Sequence, residues 1–142
     1  MLKKIFLSSD HGGYKLKELV KVFLIKNNYT IEDLGCFSLD AVDYPDYAKI
    51  LSDKLKTYSN SQGILFCGTG IGISMAANRF NHIRAALCTS IEMASKSRKH
   101  NNANVLALGG RVLEDNLAID IVYEFLNTDF EAGRHSIRVD KI

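Results

Sequence analysis

Short apolar runs alternate with longer stretches in which apolar residues recur every three or four positions, and this alternation organises the chain. Ile5–Ser9 is an apolar run that stops at Asp10-His11-Gly12-Gly13, which predicts a buried strand and then a turn. Leu16, Leu19, Val20, Phe23 and Leu24 follow at helical spacing and give a helix from about Tyr14 to Asn27. Tyr29–Leu34 predicts a second, more polar strand, closed by Gly35. Residues 43–58 carry Ala48, Leu51 and Leu55 as a helical stripe, with Asp43 as the expected cap and Pro45 near the first turn. Gly63–Cys67 is apolar without alternation, the pattern of a strand covered on both faces. A helix is expected to begin within Gly68-Thr69-Gly70-Ile71-Gly72 and to run to about Arg79. Arg84–Cys88 predicts the fourth strand. Ser90 caps a helix whose later turns are rich in Lys and Arg, the favourable end for cations. Val105–Leu108 predicts the fifth strand, before a Gly109-Gly110 turn, and Leu117, Ile121, Val122 and Phe125 mark a last helix. The remaining tail, residues 128–142, shows no clear period.

Five short strands interleaved with helices imply right-handed crossovers and a parallel sheet covered on both sides, an α/β fold. In such sheets ligands sit beyond the carboxyl ends of the strands, near a reversal in strand order. That rule singles out Asp10–Gly13, Cys67–Gly72 and the end of strand four.

Composition narrows the classes. The chain has 142 residues, 46% hydrophobic and 24% charged, which fits one soluble domain over residues 1–142 that needs no metal or disulfide to hold a core. Lys and Arg number 18 against 16 Asp and Glu, and a net charge of +2 is too weak a field to make nucleic acid the main partner. No apolar run approaches the roughly 20 residues that span a bilayer, and the first residues reach a charged, glycine-rich turn too soon for an export signal. The expected compartment is therefore the cytoplasm, with Cys36, Cys67 and Cys88 reduced. Three cysteines without a C-x-x-C pair point to neither a disulfide framework nor a zinc site, so no metal is expected.

The strongest local signal is "ILFCGTGIGISMAANR". A strand delivers Cys67 to a turn whose glycines 68, 70 and 72 can aim several backbone N–H groups at one point, beside the positive end of a helix. Such donors suit a phosphate or an enolate oxygen. A free thiol has a pKa of about 8.5, and one placed in that field ionises more readily, as a nucleophile or a base would need. The same position also suits a small core residue. The loop lacks the Lys-Ser/Thr ending of a nucleoside triphosphate loop and the last glycine of G-x-G-x-x-G, and Ile73 and Ser74 stand where a cysteine phosphatase would need an Arg. Asp10 and His11 are polar candidates after strand one, or a turn residue and a solvated histidine. His100 and Asn101 stand late in the fourth helix, where His100 serves either as a proton carrier or as a complement to the helix dipole. Arg134, His135, Arg138 and Lys141 make a basic tail whose guanidinium forks suit phosphate, or which is simply solvated.

Taken together and in order, "SSDHGGYKLK", "DYPDYA", "CGTGIGISMAANR", "RAALC", "HNNANVLALGGRV" and "FEAGRHSIRV" resemble the ribose-5-phosphate isomerase B family, which includes the galactose-6-phosphate isomerase subunits. The resemblance runs from strand one to the tail. It implies a Rossmann-like three-layer α/β/α sandwich with a five-stranded parallel sheet. It also implies a homodimer or homotetramer with active sites at the subunit boundary, and a tail from about residue 128 that packs on a neighbouring subunit. The substrate implied is a sugar phosphate, with no cofactor.

Residue by residue, the resemblance makes Cys67 the base for the carbon-bound proton, since the carboxylate used by other branches near Ile73 and Ser74 is absent. Thr69 becomes the residue that aids proton handling, and the amides of Gly68, Gly70, Ile71 and Gly72 the hole for the enediolate oxygen. His100 becomes the group that opens the sugar ring, with Asn101 a contact beside it. Asp10 and His11 become sugar and phosphate contacts, Tyr44 an aromatic lining the sugar site, and Arg134 and Arg138 a phosphate clamp with Arg111 a further candidate. The expected reaction is interconversion of ribose 5-phosphate and ribulose 5-phosphate. Its rivals are an isomerase of allose or galactose 6-phosphate and a non-catalytic phosphometabolite sensor with Cys67 as a redox-sensitive thiol.

Overall fold

A computed structural model describes residues 3–142. Its strands are β1 (Lys4–Ser9), β2 (Thr30–Asp33), β3 (Ser61–Cys67), β4 (Ala85–Leu87) and β5 (Val105–Gly109). They form one sheet in the order β2-β1-β3-β5-β4, every pair parallel. The helices are α1 (Tyr14–Lys26), α2 (Tyr44–Thr57), α3 (Ile71–Ala77), α4 (Ile91–Lys99), α5 (Asp115–Leu126) and α6 (Arg134–Val139). This is the expected three-layer α/β/α sandwich.

Alternation along the strands decides what each face meets. Ile5, Leu7, Ile64, Phe66, Leu106 and Leu108 point to one side and pack with the apolar stripes of α1, α4 and α5. Phe6, Leu65, Cys67, Val105 and Ala107 point to the other, against Ala48 and Leu51 of α2 and Ile73 and Ala77 of α3. Both sets are almost wholly buried, which is why the central strands read as unbroken apolar runs.

Several ends differ from expectation. β3 starts two residues early, at Ser61, and β4 is shorter than Arg84–Cys88. Asp43 stands at the N-cap of α2 but makes no side-chain capping bond, so Pro45 in the first turn marks that start. Ser90 does cap α4, its hydroxyl accepting from the Met93 N–H at 3.1 Å. The tail contains α6, whose six residues are too few to show a helical period.

The loop after β2 is tied down by charge. Lys17, fully buried, donates to both Asp33 carboxylate oxygens at 2.8 and 2.7 Å, Lys21 donates to Asp33 at 2.9 Å, and the Gly35 N–H donates to it at 3.0 Å. Burial pushes the Asp33 carboxyl up, but the bonds from Lys17, Lys21 and Gly35 outweigh it and hold it below the usual carboxylate range. A lowered folded-state value means stability present above the unfolded value of about 3.9 and lost as pH falls through the folded one. Asp33→Asn should therefore flatten the acid limb of a stability-versus-pH curve below about pH 4, checked by urea unfolding at several pH values.

Candidate active site

The chain steps one way from β1 to β2 and the other way from β3 to β4, so strand order reverses between the neighbours β1 and β3. Ser9 pairs with Phe66 at that seam, and the next residues of both strands turn out together. The Asp10–Gly13 and Cys67–Gly72 loops therefore lie side by side at the crevice where α/β sheets hold ligands.

Cys67 ends β3 on the α2/α3 face and is 4% exposed. The Gly70 N–H donates to its Sγ at 3.0 Å. Gly70 has φ of 79°, and a Cβ there would stand 2.6 Å from Leu87 Cδ1 and 2.9 Å from the Leu108 carbonyl carbon. The tight turn that brings an amide onto the sulfur thus requires glycine. The Ile71 N–H donates to Thr69 Oγ1 at 3.2 Å, which turns that hydroxyl toward the start of α3. Tyr44 lies over Gly72, where a Cβ would come within 2.7 Å of its ring. Arg111 is anchored by its N–H to the Gly68 carbonyl at 2.9 Å, and the Gly110 N–H bonds the Cys67 carbonyl at 2.8 Å. Gly70→Ala should lower stability by about 1–3 kcal/mol, seen as a fall in Tm, because it forces both a left-handed non-glycine and a clash.

Asp10 is 7% exposed and its carboxylate accepts from the Gly13 N–H at 3.1 Å, so it builds the turn whatever else it touches. His11 accepts from the Val42 N–H on Nδ1 at 3.1 Å, which leaves Nε2 as the nitrogen that donates in the neutral ring. A cleft of about 190 Å³ opens here, lined by His11, Gly12, Lys15, Leu39, Gly110 and Arg111. Lys15 was not among the expected residues. Its signal in the sequence was a cation in the first turn of the helix that follows a strand's carboxyl end. Cys67 does not line this cleft.

A second group forms elsewhere. α4 starts beyond the carboxyl end of β4 and returns toward the amino end of β5, so His100, its C-cap, and Asn101 lie at the opposite end of the sheet from Cys67. Four residues of β5 alone put roughly 13 Å between those levels. The His100 ring stacks on His135 of α6 with centroids 4.2 Å apart and planes 15° apart. The Glu131 N–H bonds the Lys99 carbonyl at 3.1 Å, docking the tail beside α4 and bringing Arg134 and Arg138 to this end. Burial, then the neighbouring His100, holds the His135 imidazole below its ordinary range. His135 and Glu131 were missed as members of this group because their meeting with His100 depends on tertiary docking. One chain therefore gathers Asp10, His11, Tyr44, Cys67, Gly68, Thr69, Gly70, Ile71, Gly72 and Arg111 at one end, and His100, Asn101, Arg134 and Arg138 at the other.

The remaining cysteines are packed inside. Cys88 is pushed up to about 11 by burial, which outweighs a hydrogen bond from Ser97, so it stays a neutral thiol near neutral pH. Cys36 lies 3.7 Å from Ser9 Oγ. Among the described residues no helix is long and apolar enough to cross a membrane.

Sheet order, crossover helices and a glycine-rich loop at the strand reversal define a Rossmann-like α/β domain with its ligand crevice between β1 and β3. The ribose/galactose isomerase family profile matches residues 5–142. The chain belongs to that family. It is 42% identical to the ribose-5-phosphate isomerase B of Escherichia coli over 141 residues, 99% of this chain and 95% of that protein. The crystal structure of a ribose 5-phosphate isomerase from Thermotoga maritima superposes with a TM-score of 0.96 at 48% identity, covering 98% of this chain and 96% of that one. The ribose-5-phosphate isomerase B of Mycoplasma genitalium, solved with bound ribulose-5-phosphate, gives a TM-score of 0.95 at 44% identity, covering 99% and 94%.

Proposed function

We propose that the chain interconverts ribose 5-phosphate and ribulose 5-phosphate through an enediolate, with Cys67 as the base. The observation that carries this reading is the Gly70 N–H 3.0 Å from Cys67 Sγ at the strand reversal. An amide dipole fixed on the sulfur meets negative charge there, and a thiolate is the form that takes a proton from carbon.

The reaction asks for ring opening, transfer of a proton between adjacent carbons, a shuttle of a hydroxyl proton and a grip on phosphate. Cys67 removes the C2 proton of the open-chain aldose, the electrons move into the C1 carbonyl, and return of a proton to C1 gives the ketose. Thr69 carries the hydroxyl proton between O2 and O1. The Gly70 amide is taken by the sulfur and the Ile71 amide by Thr69. The donors left in the loop for the enediolate oxygen are those of Gly68, Thr69 and Gly72. One such donor is worth roughly 3–4 kcal/mol of barrier. His11, Lys15 and Arg111 line the adjoining cleft as donors for substrate oxygens, and Tyr44 walls the sugar side.

His100, Asn101, Arg134 and Arg138 reach such a substrate only from a second copy of the chain, which completes a homodimer with sites at the boundary. His100 then opens the ring and the two arginines clamp the phosphate. Residues 128–142 pack on the neighbour in this arrangement, which gives Ile137 and Ile142, 66% and 80% exposed in the single chain, a surface to cover them.

The family profile also embraces galactose isomerases, so sugar length is the point to test. A coupled assay of the purified protein should give the highest kcat/KM on ribose 5-phosphate, above allose and galactose 6-phosphates, and the same rate with a chelator present. Preference for either hexose phosphate reassigns the substrate, and turnover of none leaves the sensor reading in its place.

A further inference from the structure

A cavity of about 300 Å³ opens at the amino end of the sheet, among the residues that lead into β1, β3, β4 and β5. Three cations line it: Lys3, Arg84 and Arg98. Among the described residues none of the three makes an ion pair within 4.0 Å. Arg98 is 8% exposed, with Nε donating to the Thr128 carbonyl and one terminal nitrogen donating to Asn102 Oδ1 and the Ala103 carbonyl, so its other terminal nitrogen is uncommitted. Arg84 donates from Nε to the Asn102 carbonyl at 2.8 Å and keeps both terminal nitrogens. The other lining groups are neutral, and no carboxylate is among them. Gln62, 4% exposed, adds a side-chain carbonyl oxygen that is buried without a hydrogen-bond partner.

Converging guanidinium groups and an ammonium, with no carboxylate in the wall, match a dianion. Burial and then the Arg98 charge pull Lys3 below its ordinary range, only partly offset by Asp129. Burial alone does the same to Arg84. An anion between them relieves the mutual repulsion. The orphan carbonyl of Gln62 calls for a donor, which the phosphoryl group of a dianionic monoester lacks and a hydroxyl on its carbon chain supplies.

We propose that the cavity bounded by Lys3, Arg84 and Arg98, with Gln62 in its wall, binds the phosphate group of a small polyol phosphate, at the end of the sheet opposite Cys67. This is a second ligand site, distinct in the chain from the loops around Cys67, and it does not depend on the isomerase mechanism. The test is a titration of the full chain with glycerol 3-phosphate and, separately, with methyl phosphate, whose dianion carries no hydroxyl, followed through the NMR signals of the Gln62, Asn102 and Asn104 side-chain amides. Saturable shifts at these amides are expected, with methyl phosphate about tenfold weaker for want of the hydroxyl. Lys3→Ala and Arg84→Gln should each weaken glycerol 3-phosphate about tenfold at these signals while kcat in the absence of the probe stays unchanged. Equal affinity for the two probes overturns the polyol assignment. Shifts that remain linear with concentration, or that persist undiminished in both variants, overturn the site.

Discussion

Cys67→Ala should fold normally and lose about 10²–10⁴-fold in kcat, the usual contribution of a positioned base. Alanine fits the space of a residue packed among Leu65, Ile73 and Ala77, so the sheet and the α2/α3 layer have no reason to move. KM should change little, because the groups proposed to hold sugar and phosphate, among them His11, Arg111 and Arg138, are untouched. Cys67→Ser is the sharper variant. It keeps a group able to accept the Gly70 N–H, yet a hydroxyl near neutral pH is a far poorer base than a thiol, and it should be nearly as slow as the alanine variant. Steady-state kinetics with circular dichroism as the check on folding decide the point. Wild-type turnover in a folded Cys67→Ala protein would remove the sulfur from the reaction.

The second large effect comes from the separation of the two residue groups within a chain. If a site takes Cys67 from one copy and His100, Asn101, Arg134 and Arg138 from another, Cys67→Ala and Arg138→Ala proteins are each impaired at every site. Mixed dimers of the two variants contain one site built from two wild-type halves and one doubly defective site. With random assortment, half of the dimers are mixed and each has one intact site of two, so unfolding and refolding an equal mixture should restore about a quarter of wild-type activity. The two variants refolded separately should restore nothing. Absence of any gain in the mixture would show that each site is built within a single chain.

Much of this was legible in the sequence, for identifiable reasons. The central strands announced themselves because residues such as Ile64, Leu65 and Phe66 are buried on both sheet faces, and such strands cannot alternate. The loop of Gly68 to Gly72 stood out because glycines are needed where a turn closes tightly, as Gly70 does at φ of 79°. What stayed hidden depends on distance along the chain. Stacking of His100 on His135 joins a helix end to a tail 35 residues later, and neither residue carries a local mark of the other. The division of the site residues between the two ends of the sheet follows from α4 returning against the strands, which only the topology reveals. The burial of the sulfur was one of two readings the loop left open. The Cys67 side chain follows the alternation of β3 onto the α2/α3 face and packs there as a core residue does, 4% exposed.

Proton removal from carbon is the step proposed for Cys67, and exchange with solvent reads it directly. Ribose 5-phosphate incubated with the wild-type protein in deuterium oxide should acquire deuterium at the carbon that loses its proton, at a rate comparable to isomerisation. The folded Cys67→Ala protein should acquire none above the uncatalysed background. Deuterium entering at the wild-type rate in that variant would contradict the assignment.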